Sequence, residues 1–325
     1  MAQGNVAAAR TAEMAAAAPA RAPRARMAKD TLFLTLCLAF TSGAVLILLA
    51  LLFKIWSAGA SHLSWAFLTN WASRKPAESG IYAPLMGSVW VCVVCGLLAL
   101  PVGVGTAVYL EEFARKSRFT SFIRLNITNL AGVPSIVYGI LGLTAFARMF
   151  GAADPQNPIS IGNPDSFFYV RLPFGSGVLS GGLTLMLVVL PIIIVSSQEA
   201  LRAVPRSLRA GSLALGATTW QTVWNITLPS SVPMIMTGSI LAMSRAIGEA
   251  APVLVLGIPL SIKFTPNNLM SEFTVLPLQI YNWAGRPQQE FHDLAAAAII
   301  VLLAVLLTFN AVAVFIRQKL QRTLQ

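Results

Sequence analysis

Apolar and polar positions alternate along this chain on a coarse scale. Apolar runs near 31–55, 84–110, 126–150, 177–197, 233–257 and 294–316 are long enough for helices that cross a bilayer. The pattern predicts an all-α membrane protein with six transmembrane helices. Gly132 and Pro134 interrupt the third run, an interruption that membrane helices tolerate. Outer loops are expected near 56–83, 151–176 and 258–293. Their aromatic residues, Trp56, Trp65, Trp71, Tyr82, Phe167, Phe168, Tyr169, Tyr281 and Trp283, are expected to anchor the spans at the membrane interface. They also offer a surface for an extracytoplasmic protein.

Between the fourth and fifth runs, residues 198–232 are too polar for lipid yet patterned. Pro205 suits the start of a helix. Val204, Leu208, Gly211 and Leu215 then recur at helical spacing and form one apolar stripe. Arg206 and Arg209 lie off that stripe, where they are expected to stay wet. Gly216 suits a left-handed helix stop. Thr218 and Gln221 have the spacing of a capping box, which starts a second short helix with Trp220, Val223 and Trp224 on one face. Pro229 is expected to end it. Two readings fit this hairpin equally on spacing alone: an apolar ridge offered to a partner, or a loop folded against its own spans.

Composition supports the membrane assignment. Of 325 residues 56% are hydrophobic and 11% charged, with a mean hydropathy of +0.71; a soluble domain carries about twice that charged fraction. The net charge of +11 raises nucleic acid as a partner, but the distribution of the basic residues argues against it. One set of segments holds Arg10, Arg21, Arg24, Arg26, Lys29, Arg115, Lys116, Arg118, Arg124, Arg202, Arg206, Arg209, Arg317, Lys319 and Arg322. The alternate loops hold only Arg74, Lys75, Arg171, Lys263 and Arg286, while Lys54, Arg148 and Arg245 lie at span ends or within a span. This bias predicts that both termini and the 198–232 hairpin are cytoplasmic. Residues 1–29, rich in Ala, Arg and Pro, read as a disordered basic tail beside anionic lipid. Cys37, Cys92 and Cys95 all lie in apolar runs. Cys92 and Cys95 form a C-x-x-C without a second pair, best read as apolar packing and not as a metal or redox centre.

Little in the chain supports catalysis. It has no G-x-x-x-x-G-K-[ST] to cradle nucleotide phosphates, no serine-nucleophile elbow, and only two distant histidines, His62 and His292. Neither an enzyme active site nor a metal site is expected. The notable charges are Arg245 and Glu249, which are i and i+4 and so share a helical face within the fifth run. An Arg at mid-bilayer costs roughly 2.5–3.5 kcal/mol on insertion scales, so it must face protein or water. One reading has Arg245 offering a forked cation to a passing oxyanion, with Glu249 orienting it and preventing tight capture. The other is a structural ion pair between helices. Ser135 and Tyr138 are secondary pathway candidates, or else helix-packing residues. Gly177 and Gly181 have the G-x-x-x-G spacing of close helix packing. Glu111 and Glu112, at the end of the second span, are expected to be solvated.

The segment A-G-S-L-A-L-G, followed after nine intervening residues by I-T-L-P, resembles the cytoplasmic loop of ABC-transporter permeases. Gly216, Ile226, Leu228 and Pro229 match that family's pattern. Ala210-Gly211-Ser212 stands where the family has Glu-Ala-Ala, so the acidic residue is missing. R-A-I-G-E-A-A-P from Arg245 and G-V-P-S-I-V-Y-G-I-L-G-L from Gly132 narrow the resemblance to the PstA-type permease subunits of phosphate ABC importers. The resemblance implies a type I ABC importer permease fold in the bacterial cytoplasmic membrane, and alternating access for inorganic phosphate. It makes Arg209, Ala210, Leu213, Ala214, Leu215, Gly216, Ala217, Ile226, Leu228 and Pro229 the ATPase-coupling surface, and strengthens Arg245 and Glu249 as pathway residues. Implied partners are a PstC-type permease subunit, a PstB-type ATPase dimer, a PstS-type phosphate-binding protein and the lipid bilayer. ATP would be used by the ATPase, and no cofactor would be bound by this chain. The alternatives are a permease for another small oxyanion and an ion-coupled secondary transporter. The latter needs broken helices in matching halves, and the sequence shows no such symmetry.

Overall fold

The computed structural model describes residues 24–151, 159–163, 166 and 169–323. The chain divides into two compact units, Met1–Lys54 and Ile55–Gln325. Helix α1, Arg24–Gly59, begins inside the stretch expected to be a disordered tail; residues 1–23 of that stretch lie outside the described residues. In the first unit α1 is apolar on every side, with Phe33, Phe40, Ile47 and Phe53 all exposed, the pattern of a helix made for lipid.

The second unit holds the other helices. Helix α2, Trp65–Thr69, is capped by Ser64, whose Oγ accepts the Phe67 N–H at 3.1 Å. Helix α3, Tyr82–Val108, continues through a π turn, Tyr109–Phe113. Helices α4, Arg118–Leu130, and α5, Ser135–Gly142, follow, and a second π turn extends α5 to Ala147. Strands β1, Ile159–Ile161, and β2, Val170–Leu172, make a small antiparallel ladder with Ser160 opposite Arg171. Next come α6, Val178–Ala203, α7, Arg206–Ala214, and α8, Thr219–Thr222. The remaining helices are α9, Leu228–Gly248, α10, Ala251–Val255, α11, Leu276–Ala284, and α12, Gln289–Thr323.

Among the described residues five helices are long and apolar enough to span a bilayer, and a bent pair makes a sixth. That pair corrects the expected third span. Instead of one helix over 126–150, α4 and α5 meet at 104°. Pro134 offers no N–H and disfavours the helical conformation at Val133. The Tyr138 hydroxyl crosses the break and donates to the Leu130 carbonyl at 2.8 Å.

The fifth span also departs from expectation, at both ends. Pro229 does not end a helix: α8, a π turn at Val223–Thr227 and α9 form one helix, Thr219–Gly248. The wider turn lets the Leu228 N–H reach the Val223 carbonyl, and Pro229 comes directly after this widened turn, so the helix runs on past it. At the other end the helix stops at Gly248 rather than near 257, and Glu249 is extended (φ −80°, ψ 116°). Pro252 has no N–H to give the Gly248 carbonyl, and its ring would crowd that carbonyl. The fourth span, in contrast, runs beyond its expected end at 197 to Ala203.

The core lies where α3, α6 and α9 pack along one another. Val91 and Cys95 of α3, Leu185 and Ile193 of α6, and Ala242 and Met243 of α9 are buried together with Phe273 and Leu278. Gly177 and Gly181 face the Met270 backbone and the Phe273 ring, so the G-x-x-x-G seats a loop and not a helix. A second cluster joins Phe67, Ile81, Leu276, Phe291 and Trp283. Trp283, expected at the membrane interface, is instead fully buried. With the Gln279 amide oriented to suit its neighbours, Gln279 accepts the Trp283 indole N–H at 2.9 Å and donates to the Leu260 carbonyl at 3.1 Å. That bond lets a polar-tipped ring lie inside.

Candidate functional site

The break after α9 is the first of two charged places. Arg245 sits in the last turn of α9, where the helix dipole favours a cation. Its Nε donates to Glu249 Oε1 at 3.1 Å. The two ends of this pair face different surroundings. The Glu249 side chain is 17% exposed and lines a crevice with Ser88, Cys92, Leu185 and Val275. The Arg245 side chain is 52% exposed, and the bond to Glu249 is the one hydrogen bond it makes among the described residues. A guanidinium has five N–H donors, so most of its capacity remains open.

Ser135 and Tyr138 do not join the pair. Gly139 of α5 lies against Pro252 of α10, so the bent third span leans on the segment that follows Glu249. Ser135 is half-buried and Tyr138 is buried. The Tyr138 hydroxyl is occupied by Leu130, and among the described residues neither side chain bonds to Arg245 or Glu249.

The second place is the hairpin of α7 and α8. Gly216, at φ +87°, makes the turn, a conformation that other residues adopt only with strain. Thr218 and Gln221 form the capping box: the Thr218 N–H donates to Gln221 Oε1 at 2.8 Å, and the Gln221 N–H to Thr218 Oγ1 at 3.3 Å. Ser212 and Thr222 hydroxyls, 2.9 Å apart, tie the two helices. Ala210, Leu213, Ala214, Leu215 and Gly216 are exposed, whereas Ala217, Ile226, Leu228 and Pro229 are half-buried. Trp220 and Trp224 meet edge to face at 5.5 Å, and Trp220 lies 5.9 Å from Phe113.

This hairpin is fastened by charges that the sequence pattern left in solvent. Arg209, expected to stay wet, is 23% exposed and donates to Glu112 at 2.8 Å and to the Leu201 carbonyl at 2.6 Å. Glu111 accepts from Arg124 of α4 at 2.9 Å and from Arg202 of α6 at 2.7 and 3.0 Å. Arg124 also donates to the Leu110 carbonyl. Both carboxylates are only about one-tenth exposed, not solvated. The π turn that ends α3 presents them to three arginines on three different helices. Two adjacent carboxylates repel, and three cations around them reverse the balance.

Residues 99–324 match the family described as binding-protein-dependent transport system inner membrane component. The chain belongs to this family. Among curated relatives, the probable ABC transporter permease protein YqgI of Bacillus subtilis (strain 168) is 33% identical over 268 residues, 78% of this chain and 83% of that protein. The phosphate transport system permease protein PstA 1 of Mycobacterium tuberculosis (strain ATCC 25618 / H37Rv) is 31% identical, with coverage of 81% and 77%. PstA of Yersinia pestis is 29% identical, with coverage of 90% and 92%. Among solved structures, a chain of a bacterial alginate ABC transporter, in complex with its pentasaccharide-bound periplasmic protein, superposes with a TM-score of 0.62. It is 14% identical and covers 89% of this chain and 94% of its own. A chain of the MetNI methionine ABC transporter gives 0.53 at 15% identity, with coverage of 75% and 97%. The fold is that of type I ABC importer permeases. The chain is a multi-pass permease subunit of an ABC importer and not an enzyme, since ATP hydrolysis resides in a separate subunit.

Proposed function

We propose that this permease carries inorganic phosphate inward across the bacterial cytoplasmic membrane. The observation that carries the proposal is Arg245: a half-exposed guanidinium, held by one bond, at the break in a membrane helix. A fixed, unsaturated fork of N–H donors suits a tetrahedral oxyanion. Glu249, which holds one N–H and places a negative charge beside the fork, keeps the site weak enough to release its cargo. The similarity to PstA proteins, at about 30% identity over most of the chain, supports phosphate among small oxyanions. Family membership counts against an ion-coupled secondary transporter.

The helix that carries Arg245 also begins in the hairpin. Thr219–Gly248 is continuous over 30 residues, about 45 Å, because its π turn absorbs Pro229. Displacement of Trp220 and Trp224 by a motor protein therefore moves the far end of the same rod, where the chain breaks and Arg245 sits. In this reading the hairpin is cytoplasmic and docks an ATPase dimer of the PstB type, which binds and hydrolyses the ATP. A PstC-type subunit completes the pathway, a PstS-type protein delivers phosphate, and this chain holds no cofactor. Ser135 and Tyr138, on the bent span whose Gly139 leans on Pro252, are secondary candidates along the pathway.

The test is reconstitution of the complete transporter in proteoliposomes, with binding protein outside and ATP within. Radiolabelled phosphate should accumulate, with arsenate competing and sulfate not. ATP-dependent uptake of another oxyanion in preference to phosphate would replace this substrate, and uptake without ATP would reject the class.

A further inference from the structure

At the far end of α6 from the hairpin, a cavity of about 460 Å³ opens between the end of α5, strand β2 and the end of α10. The 26 residues of α6 separate the two ends by about 39 Å. Two arginines line this cavity, Arg148 just after the π turn and Arg171 on β2, and no carboxylate among the described residues does. Neither arginine forms an ion pair among the described residues. Their placement is built. The Gly175 N–H donates to the Ala147 carbonyl at 3.1 Å, which joins the loop after β2 to the residue before Arg148. The Arg171 guanidinium lies over Gly175, where an added Cβ would come within 2.6 Å of Nη2. Ser176 donates to the Leu256 carbonyl at 3.3 Å and closes the loop onto α10. The floor, Val255 to Gly257, is the far end of the short helix that starts after Glu249, roughly 8 Å along its axis.

We infer that Arg148 and Arg171 form a receiving site for a phosphate-class oxyanion, one short helix upstream of Arg245. Two cations facing one cavity, with no counter-charge among the described residues that line it, raise the local concentration of anions, and two guanidinium forks match the oxygens of a phosphate. The cavity is open, so the anion is held loosely and can pass on. This rests on the proposed import of phosphate. The same chemistry would also take the phosphate of a lipid headgroup, and the experiment separates the two sources.

The complete transporter, in nanodiscs of zwitterionic lipid, is treated with the arginine reagent phenylglyoxal and mapped by mass spectrometry. Inorganic phosphate should slow modification of Arg148 and Arg171 severalfold relative to chloride at equal ionic strength, and leave exposed Arg74 unaffected. Equal rates in phosphate and chloride would overturn the site. So would protection that arises only when phosphatidylglycerol is added to the discs. In transport, R148Q/R171Q should lower uptake about tenfold, the low end of what charge focusing supplies, while R148K/R171K recovers most of it. Wild-type uptake by R148Q/R171Q, or loss of its binding to the extracytoplasmic protein, would overturn the assignment. A wild-type transporter that imports no phosphate would instead sink the functional reading, whereas protection by phosphate is read without any transport.

Discussion

Arg245 with Glu249, and Glu111 and Glu112 with their three arginines, are both charge clusters at the ends of membrane helices, but they are built differently. The hairpin cluster is saturated at its carboxylates: each is about nine-tenths covered, and four arginine N–H bonds converge on the two of them. The pair at the α9 break shares one bond and leaves its guanidinium half exposed. The two carboxylates have little left to offer a ligand, although Arg202 stays 54% exposed and Arg209 Nε has no partner among the described residues; the cluster fastens α3, α4, α6 and α7 into one body. An unsaturated one contributes little to folding and keeps its donors for something else. Under the proposed function, the contrast separates a cluster that holds helices together from a pair with donors to spare for cargo.

The largest effect should come from the saturated side. Glu112→Ala leaves Arg209 covered and without its counter-charge, which should cost about 3 kcal/mol; thermal unfolding of the purified transporter checks this, and an unchanged midpoint would remove the distinction. Next is Tyr138→Phe, which deletes the hydroxyl spanning the α4–α5 bend and should lower stability by about 1 kcal/mol in the same assay. Thr218→Ala removes one half of the capping box and should also cost about 1 kcal/mol, visible as faster amide exchange confined to the start of α8. Smallest is the stability change on Arg245→Ala, below about 1 kcal/mol for a half-exposed pair. A drop comparable to that of Glu112→Ala would make Arg245 a structural charge like the others.

The sequence pattern reached much of this arrangement, and its failures share a cause. Apolar runs located the spans, and Gly216, Thr218 and Gln221 marked the hairpin turn, because these signals are local. The bend at Pro134 and the break at Glu249 were also local, but a proline in a membrane run is compatible with either a tolerated kink or a stop. Which occurs depends on what receives the freed carbonyl, as Tyr138 receives that of Leu130. Glu111 and Glu112 were invisible to periodicity, since their partners lie 13, 91 and 97 residues away. Trp283 was misplaced because an amide four residues earlier, Gln279, satisfies its N–H. Spacing put Arg245 and Glu249 on one face of a continuous helix; they do meet, but the helix ends at Gly248 and Glu249 is extended, and this break and the exposure of the arginine required the fold.

ATP-driven phosphate uptake by the reconstituted transporter carrying Arg245→Ala bears most directly on the role of this residue. With assembly, melting midpoint and basal ATP hydrolysis matched to wild type, uptake should fall by at least about tenfold, the loss of one charge-assisted contact to the moving anion. Uptake at the wild-type rate would show that phosphate passes without that guanidinium.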